Sequence, residues 1–351
     1  MTEVLRVDPI DPDPNAIARA AACLVAGGLV AFPTETVYGL GVHAFDRRAL
    51  ARLFAAKERP ATDPLIVHVP GIDDVTPLVA EVPREARALA ARFWPGPLTI
   101  VLRRSIAVPD DVTAGLDTVA IRAPSHRVAR ALIAAARIPI AAPSANLFSR
   151  PSPTDAAHVL ADLNGRIDLI VDAGPTEVGL ESTVLDLSQD PPVILRPGAV
   201  GIEMLRAVIG RIEILGTSVT GSAAMPSPGL LSRHYSPRTP LTVYDGDARA
   251  ALHALARDAQ GHLDRGSTVA VLAFAEDLPQ LALLPVTIVH LGREHEPAEV
   301  AARLYAALRE SDEVGADAIV ARMLTTDHAF GAAIRDRLRR AAAGRIVRVE
   351  G

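Results

Sequence analysis

The chain has 351 residues, a formal net charge of −5, a pI near 6.1, 49% hydrophobic and 22% charged residues. That length exceeds one ordinary core and that composition is globular, which excludes a disordered chain and argues against a protein held to nucleic acid by a basic surface. One cysteine, Cys23, excludes internal disulfides and Cys-based metal clusters, and no apolar run reaches the roughly 18 residues that cross a bilayer, so a cytoplasmic protein without membrane contact is expected.

The first residues, MTEVLRVDPIDPDP, are acidic and proline-rich, unlike a secretory leader. Helical periodicity then predicts a helix over Asn15–Ala26, followed by an apolar strand over Leu29–Pro33. The strand runs into Phe32-Pro33-Thr34-Glu35-Thr36-Val37-Tyr38-Gly39-Leu40-Gly41, which reads as a hydroxyl-rich loop at the carboxyl end of a strand, where α/β folds place ligands. A helix over Arg47–Ala56, with Asp46 as its N-cap, leads to Lys57-Glu58-Arg59-Pro60. Lys57 is the only lysine among 36 basic residues. A compact ammonium does not replace a guanidinium at a tight anion site, so its survival in an arginine background marks the position. In an extended backbone Lys57 and Arg59 fall on one side, where two cations suit a polyphosphate.

Asp63-Pro64 introduces a strand over Leu65–Val69 that contains His68; alone, a histidine in an apolar strand is usually a neutral core imidazole. A helix over Arg84–Phe93 and strands over Leu98–Arg103 and Val119–Ala123 follow, the last flanked by Thr118 and holding Arg122. After a helix over Arg127–Arg137 and a strand over Pro139–Ala142 comes Pro143-Ser144-Ala145-Asn146, small enough to admit a ligand to the backbone. Ser152 precedes a helix predicted over Thr154–Leu163, with Thr154 as N-cap and N–H groups suited to phosphate. Strands over Leu169–Asp172, Thr183–Leu187 and Val193–Arg196 carry Ser182 and Arg196 at their edges, and a helix over Ile202–Ile209 ends the pattern.

Residues 212–240 are rich in Gly, Ser, Thr and Pro and read as a linker, yet they contain Arg233, His234 and Tyr235. Beyond them, strands at Leu241–Tyr244, Val269–Ala273, Val286–Leu291 and Ala318–Ala321 alternate with helices such as Ala298–Arg309 and Phe330–Arg340, the pattern of a smaller parallel α/β domain. The expected division is a catalytic domain over 1–210, a linker and lid over 211–240, and a second domain over 241–351. The phosphate-loop, dinucleotide, zinc-protease and nucleophile-elbow motifs are all missing from the sequence.

The ordered segments PTETVYGLG, KERPATDPLIVHV, FWPGPLTIVL, TVAIRAP, APSAN, SPT, ESTVLDL and ILRPGA, with the later SPG and RHYSP, resemble the YrdC-type threonylcarbamoyl-AMP synthase family in its long two-domain branch. The resemblance implies a twisted mixed α/β sheet with a concave active site, joined to a smaller Rossmann-like α/β domain. It implies that L-threonine, bicarbonate and ATP, with Mg²⁺, yield threonylcarbamoyl-adenylate and pyrophosphate. A downstream transferase complex would use the adenylate to modify tRNA.

Carried onto this chain, the resemblance gives Thr36, His68, Arg122 and Ser182 to threonine. It gives Lys57, Arg59, Asp63, Thr118, Ala142, Ser144, Asn146, Ser152, Arg196 and Tyr235 to ATP, with Lys57 and Arg59 stabilising the charge that develops at phosphorus. No dedicated metal ligand is implied. Two positions depart from the family pattern: Asp63 stands where Asn is usual, and Phe148-Ser149 where Ser-Gly is usual. The alternative reading is a YrdC-like RNA-binding module without ATP chemistry. Residues 1–210 hold 20 basic and 24 acidic side chains, which argues against it and against stable autonomous nucleic-acid binding. A carbamoyl-phosphate-using adenylation domain would need Cys-rich zinc segments, and a single cysteine leaves no room for them.

Overall fold

A computed structural model describes residues 1–215, 225–227, 229, 234–326 and 329–350. Contacts divide the chain into a first unit, Met1–Phe148 with Ser152–Leu230, and a second, Ser149–Pro151 with Leu231–Gly351. Arg233 lies outside the described residues.

In the first unit the order is β1 (Glu3–Arg6), α1 (Pro14–Val25), β2 (Val30–Pro33), β3 (Tyr38–His43), α2 (Arg47–Lys57), β4 (Ile66–His68), α3 (Arg84–Phe93) and β5 (Leu98–Arg103). It continues with α4 (Asp110–Thr113), β6 (Thr118–Arg122), α5 (Arg127–Ala136), β7 (Ile140–Ala141), α6 (Ala156–Leu163), β8 (Leu169–Asp172), β9 (Thr183–Asp186), β10 (Val193–Arg196), α7 (Ile202–Ile209) and β11 (Glu213–Ile214). The eleven strands form one mixed sheet, ordered β1-β8-β2-β3-β7-β4-β6-β5-β9-β10-β11.

Strand alternation decides what each face buries. On one face Ala31, Leu40, Val67, Ile100, Ile121 and Leu185 join residues of α2, α3, α6 and α7 in the main core. The other face is divided. Over β8, β2 and β7, the residues Val30, Phe32, Ile140 and Val171 are covered by apolar stripes of α1 (Ile17, Leu24) and α5 (Val128, Leu132). Over β4, β6, β5, β9 and β10 the apolar layer is thin: Ile66, Ala120, Val101, Val184 and Leu195 are buried, Val193 and Leu215 pack beside them, and among the described residues no helix contributes.

Several expectations change. The hydroxyl-rich stretch is a hairpin: β2 and β3 pair antiparallel from Pro33↔Tyr38 to Val30↔Gly41, so only Thr34–Val37 turns. Glycine conceals that strand in the sequence, and packing requires it, because a Cβ on Gly41 would meet the Phe32 ring at 2.8 Å. The N-cap of α6 is Asp155, not Thr154: its carboxylate accepts from Ala157 N at 2.7 Å, while Thr154 faces the His158 ring. A carboxylate already sits on the positive end of that helix, so the phosphate role expected there is withdrawn. The acidic leader contributes β1, and β11 lies inside the stretch read as linker. Asp46 does cap α2, accepting from Arg48 N at 2.9 Å and Ala49 N at 3.1 Å.

The second unit holds β12 (Leu241–Gly246), α8 (Ala248–Asp264), β13 (Val269–Phe274), α9 (Leu278–Leu281), β14 (Thr287–Gly292), α10 (Pro297–Glu313), β15 (Ala318–Arg322), α11 (Ala329–Ala341) and β16 (Ile346–Val349). Its five strands run parallel in the order β14-β13-β15-β12-β16, the parallel α/β layout the alternation predicted, though not in the strand order of a Rossmann sheet. Buried Arg322 joins Asp277 at 2.9 Å and Glu294 at 2.6 Å and stacks on Phe274, which ties the carboxyl ends of β13, β14 and β15 together. Among the described residues no helix is long and apolar enough to cross a membrane.

Candidate active site

The thin apolar layer over β4, β6, β5, β9 and β10 carries a row of polar side chains at one end. His68 lies two residues beyond Ile66 and pairs in register with Arg122, which lies two beyond Ala120. Thr99, two before Val101, faces the hydroxyl of Ser182 at 2.7 Å. Arg196 reaches the same face through a bulge: Ile194 pairs with Leu185, but Arg196 pairs with Val184. The extra residue turns a side chain that alternation would send into the main core back toward Ser182. Its guanidinium donates to the Ser182 carbonyl at 3.1 Å and to the Ser182 hydroxyl at 3.2 Å.

The β2–β3 turn closes one flank of this row. Thr34 Oγ1 donates to the Val37 carbonyl at 2.7 Å and lies 2.8 Å from Thr36 Oγ1. Arg122 Nη1 donates to Thr36 Oγ1 at 2.9 Å and Arg122 Nε to the Gly96 carbonyl at 3.3 Å. Glu35 lies beside the same guanidinium, Oε1 to Nη2 at 2.8 Å, with both side chains 5% exposed. Yet Glu35 Oε1, Arg122 Nη2 and His68 Nδ1 are all buried without a hydrogen-bond partner. Glu35 Oε1 and Arg122 Nη2 attract each other without a directed hydrogen bond, and with His68 Nδ1 they leave hydrogen-bonding capacity unused in the interior, where an unsatisfied polar atom is costly. Burial, with the Arg122 charge behind it, pushes the His68 pKa down to about 3, so the imidazole is neutral at working pH.

Lys57 lies at the end of α2, where Glu58 turns left-handed (φ 54°) as the C-cap. The expectation of an extended Lys57–Arg59 pair is therefore corrected: the two cations enter the interior through a tight turn. Lys57 Nζ donates to the carbonyls of Ser144 at 2.5 Å and Asn146 at 2.6 Å. Burial, then the neighbouring Arg59 charge, lowers its pKa well below the ordinary lysine value, against opposing attraction from Asp63 and Asp162. The Arg59 guanidinium pairs with Asp63 at 3.0 Å and donates to the Pro64 carbonyl at 2.8 Å. Burial raises the Asp63 pKa, while Arg59, Lys57 and Arg196 pull it down, which places this acid among three cations.

Backbone bonds join these parts. Ser144 bridges to Gly39, Ala145 N donates to Tyr38 O, and Tyr38 N donates to Pro153 O. Ala142 N donates to Ile66 O. The Ser152 hydroxyl donates to Glu181, next to Ser182. Thr118 lies at the far end of β6 from Arg122, about 13 Å away along the strand. Thr36, Lys57, Arg59, Asp63, His68, Thr118, Arg122, Ala142, Ser144, Asn146, Ser152, Ser182 and Arg196 all belong to the first unit.

Tyr235 belongs to the second unit, where its ring meets Tyr305 at 5.3 Å and lies under the Arg337 guanidinium. The sequence reading passed over Glu35, Thr99 and Glu181 as site residues. The first lies in the same motif as Thr36, the second in FWPGPLTIVL and the third beside Ser182, so proximity to assigned residues was the available signal.

A family model described as telomere recombination, covering Sua5, YciO and YrdC, matches residues 22–198. A second, for the threonylcarbamoyl-AMP synthase C-terminal domain, matches residues 200–343. The chain belongs to the two-domain threonylcarbamoyl-AMP synthase family. The Pyrococcus abyssi threonylcarbamoyl-AMP synthase is 43% identical over 95% of this chain and 96% of its own, and that of Bacillus subtilis 44% identical over 97% of each. The crystal structure of P. abyssi Sua5 complexed with L-threonine superposes with a TM-score of 0.93 at 40% identity, covering 99% of this chain and 100% of that one. The Asp63 departure from the family pattern is matched by its ion pair with Arg59. Ser149, at the usual glycine position, holds φ 67°, in the left-handed region that glycine favours.

Proposed function

We propose that this protein is a threonylcarbamoyl-AMP synthase, joining L-threonine, bicarbonate and ATP into threonylcarbamoyl-adenylate with release of pyrophosphate. The observation that carries the reading is the orphaned polar cluster around Arg122, a buried cation beside a neutral imidazole and a threonine hydroxyl. In this reading Arg122 receives the amino-acid carboxylate, and Thr36, His68 and Ser182 fix its remaining polar atoms.

The nucleotide extends from this row along the same sheet face, toward Thr118, Ala142, Ser144, Asn146, Ser152 and Arg196. Adenylyl transfer needs positioning and charge stabilisation more than a nucleophilic side chain. Lys57 and Arg59 supply that charge. An ammonium has three N–H groups, and two of Lys57's hold the Ser144–Asn146 loop, which leaves one for a phosphate oxygen. Tyr235 enters the proposal on sequence resemblance alone.

Among the described residues no group of three His, Cys, Asp or Glu side chains could hold a metal ion. Mg²⁺ typically rides on substrate phosphates with one or two carboxylates, but Asp63, buried in an ion pair with Arg59 and beside Lys57 and Arg196, does not fit as its protein ligand. Carried on the nucleotide, the ion would neutralise charge on the phosphates. A cytoplasmic location and a downstream transferase acting on tRNA complete the proposal. The burial of these cations in an acidic chain supports adenylation over an RNA-binding surface.

The test is pyrophosphate release from ATP with bicarbonate and Mg²⁺. Release that depends on L-threonine supports the reading; release indifferent to the amino acid refutes it.

A further inference from the structure

We propose that Glu35 is a substrate-binding residue whose carboxylate receives the α-amino group of the amino acid held by Arg122. The inference rests on the function proposed above and extends it to a residue that the family motifs did not assign.

Glu35 is 4% exposed at the tip of the β2–β3 turn. Its two oxygens differ. Oε2 accepts from Ser125 N at 3.1 Å, which fixes the carboxylate in place. Oε1 is buried, lies 2.8 Å from Arg122 Nη2, and has no hydrogen-bond donor; Nη2 likewise has no acceptor. The contact is thus electrostatic without being a directed hydrogen bond. A carboxylate serving only to orient Arg122 would align with its N–H groups, as Thr36 and the Gly96 carbonyl do.

A free α-amino acid offers the complement. It carries an ammonium and a carboxylate on adjacent atoms, one able to donate to Oε1 while the other accepts from Nη2. The two orphaned atoms are spaced for such a pair, and both would be satisfied by one zwitterion. Isolated buried charges are expensive, whereas a Glu–Arg pair presents both signs to the ligand at little net charge. The chemical class selected is therefore an α-amino acid rather than a simple hydroxy acid.

The test compares binding of L-threonine and of 3-hydroxybutanoate, which keeps the carboxylate and hydroxyl but lacks the amine, to the full-length protein and its Glu35→Gln variant. Titration calorimetry reads threonine directly and the analogue by competition. Expected is a roughly ten- to hundredfold loss of threonine affinity in Glu35→Gln, the range for a charge-assisted hydrogen bond, with less than about twofold change for the analogue.

Equal losses for both ligands would show that Glu35 only positions Arg122 and would overturn the proposal, as would unchanged threonine binding. Should Glu35→Gln misfold, Glu35→Asp keeps the charge and withdraws it by one methylene. The same selective loss is expected of it, and an unaltered threonine-to-analogue ratio overturns the proposal. Failure of the wild-type protein to bind threonine at all would instead strike the functional reading on which this inference stands.

Discussion

Replacing Lys57 by methionine separates what its ammonium does for stability from what it does for the reaction. Methionine keeps most of the buried volume and removes two short bonds, at 2.5 Å to Ser144 O and 2.6 Å to Asn146 O. Each is charge-assisted and worth about 1.5–3 kcal/mol against an unpaired state. The same substitution removes a desolvated charge, whose burial costs several kcal/mol. The two effects oppose each other, so the net change in unfolding free energy at pH 7 is expected to stay within about 2 kcal/mol. Function has no such compensation: the loop that holds Ser144 and Asn146 loses its clamp and the nucleotide loses a cation, so kcat/KM for ATP should fall at least about tenfold.

A pH series isolates the ammonium. The folded-state pKa of Lys57 is depressed, so the unfolded chain binds the proton more tightly. Its contribution to stability is complete above about 10.5, the unfolded value, and is lost as pH falls toward the folded value. The stability difference between wild type and Lys57→Met should therefore move in favour of wild type as pH rises from 7 to 10, read by urea unfolding. Unaltered kinetics with ATP refutes the assignment of Lys57 to the nucleotide, and a stability difference constant over that interval refutes the depressed pKa.

Three further outcomes follow from the same geometry. Because the folded pKa of His68 is near 3, wild-type stability should decline as pH falls below about 6.5, by at most about 5 kcal/mol from this group at pH 3, and His68→Asn should flatten that decline in urea titrations. A Cβ on Gly198 would lie 2.3 Å from Thr183 N and 2.6 Å from Glu181 O, both backbone, so Gly198→Ala should destabilise by about 1–3 kcal/mol in thermal unfolding and raise the KM for threonine by displacing Ser182. Ser149 holds a left-handed φ of 67°, so Ser149→Gly should add up to about 1 kcal/mol of stability with kcat unchanged; a destabilised variant would show that the serine side chain matters more than the backbone.

Much of this site was legible because its residues lie in short runs at strand ends, and strand ends are marked by Pro, Gly and a change from apolar to polar. Lys57 stood out by composition alone. The helices over Arg84–Phe93 and Ile202–Ile209 and the strand over Leu98–Arg103 fall where periodicity placed them, each having a clean apolar stripe and a clear stop. Tyr38–His43 was hidden because its positions on the face covered by α1 and α5 include Gly39 and Gly41, which carry no side-chain signal, although contact with Phe32 demands their absence of bulk. Asp155 was passed over as a cap because Thr154 beside it is as good a candidate, and only coordinates choose between adjacent acceptors. Glu35 could not be assigned from spacing, since its significance lies in an atom left without a partner across 87 residues of sequence from Arg122.

The location of the site follows from the cover of the sheet. Where α1 and α5 lie on β8, β2 and β7, every inward position is apolar, because a polar atom there would lose water and gain no donor. Among the described residues the same face over β4, β6, β5, β9 and β10 has no such helix in its apolar cluster, and its inward positions include five buried apolar residues and the row His68, Arg122, Thr99, Ser182 and Arg196. Such a row is stable only if its groups satisfy one another or a ligand does so. Thr99, Ser182 and Arg196 form a closed set, whereas Arg122, His68 and Glu35 do not. The unsatisfied end of the row is therefore where the proposed substrate would stabilise the protein most. Bound threonine should accordingly raise the melting temperature of wild type, and raise it far less in Arg122→Met, where the buried cation it answers has been removed.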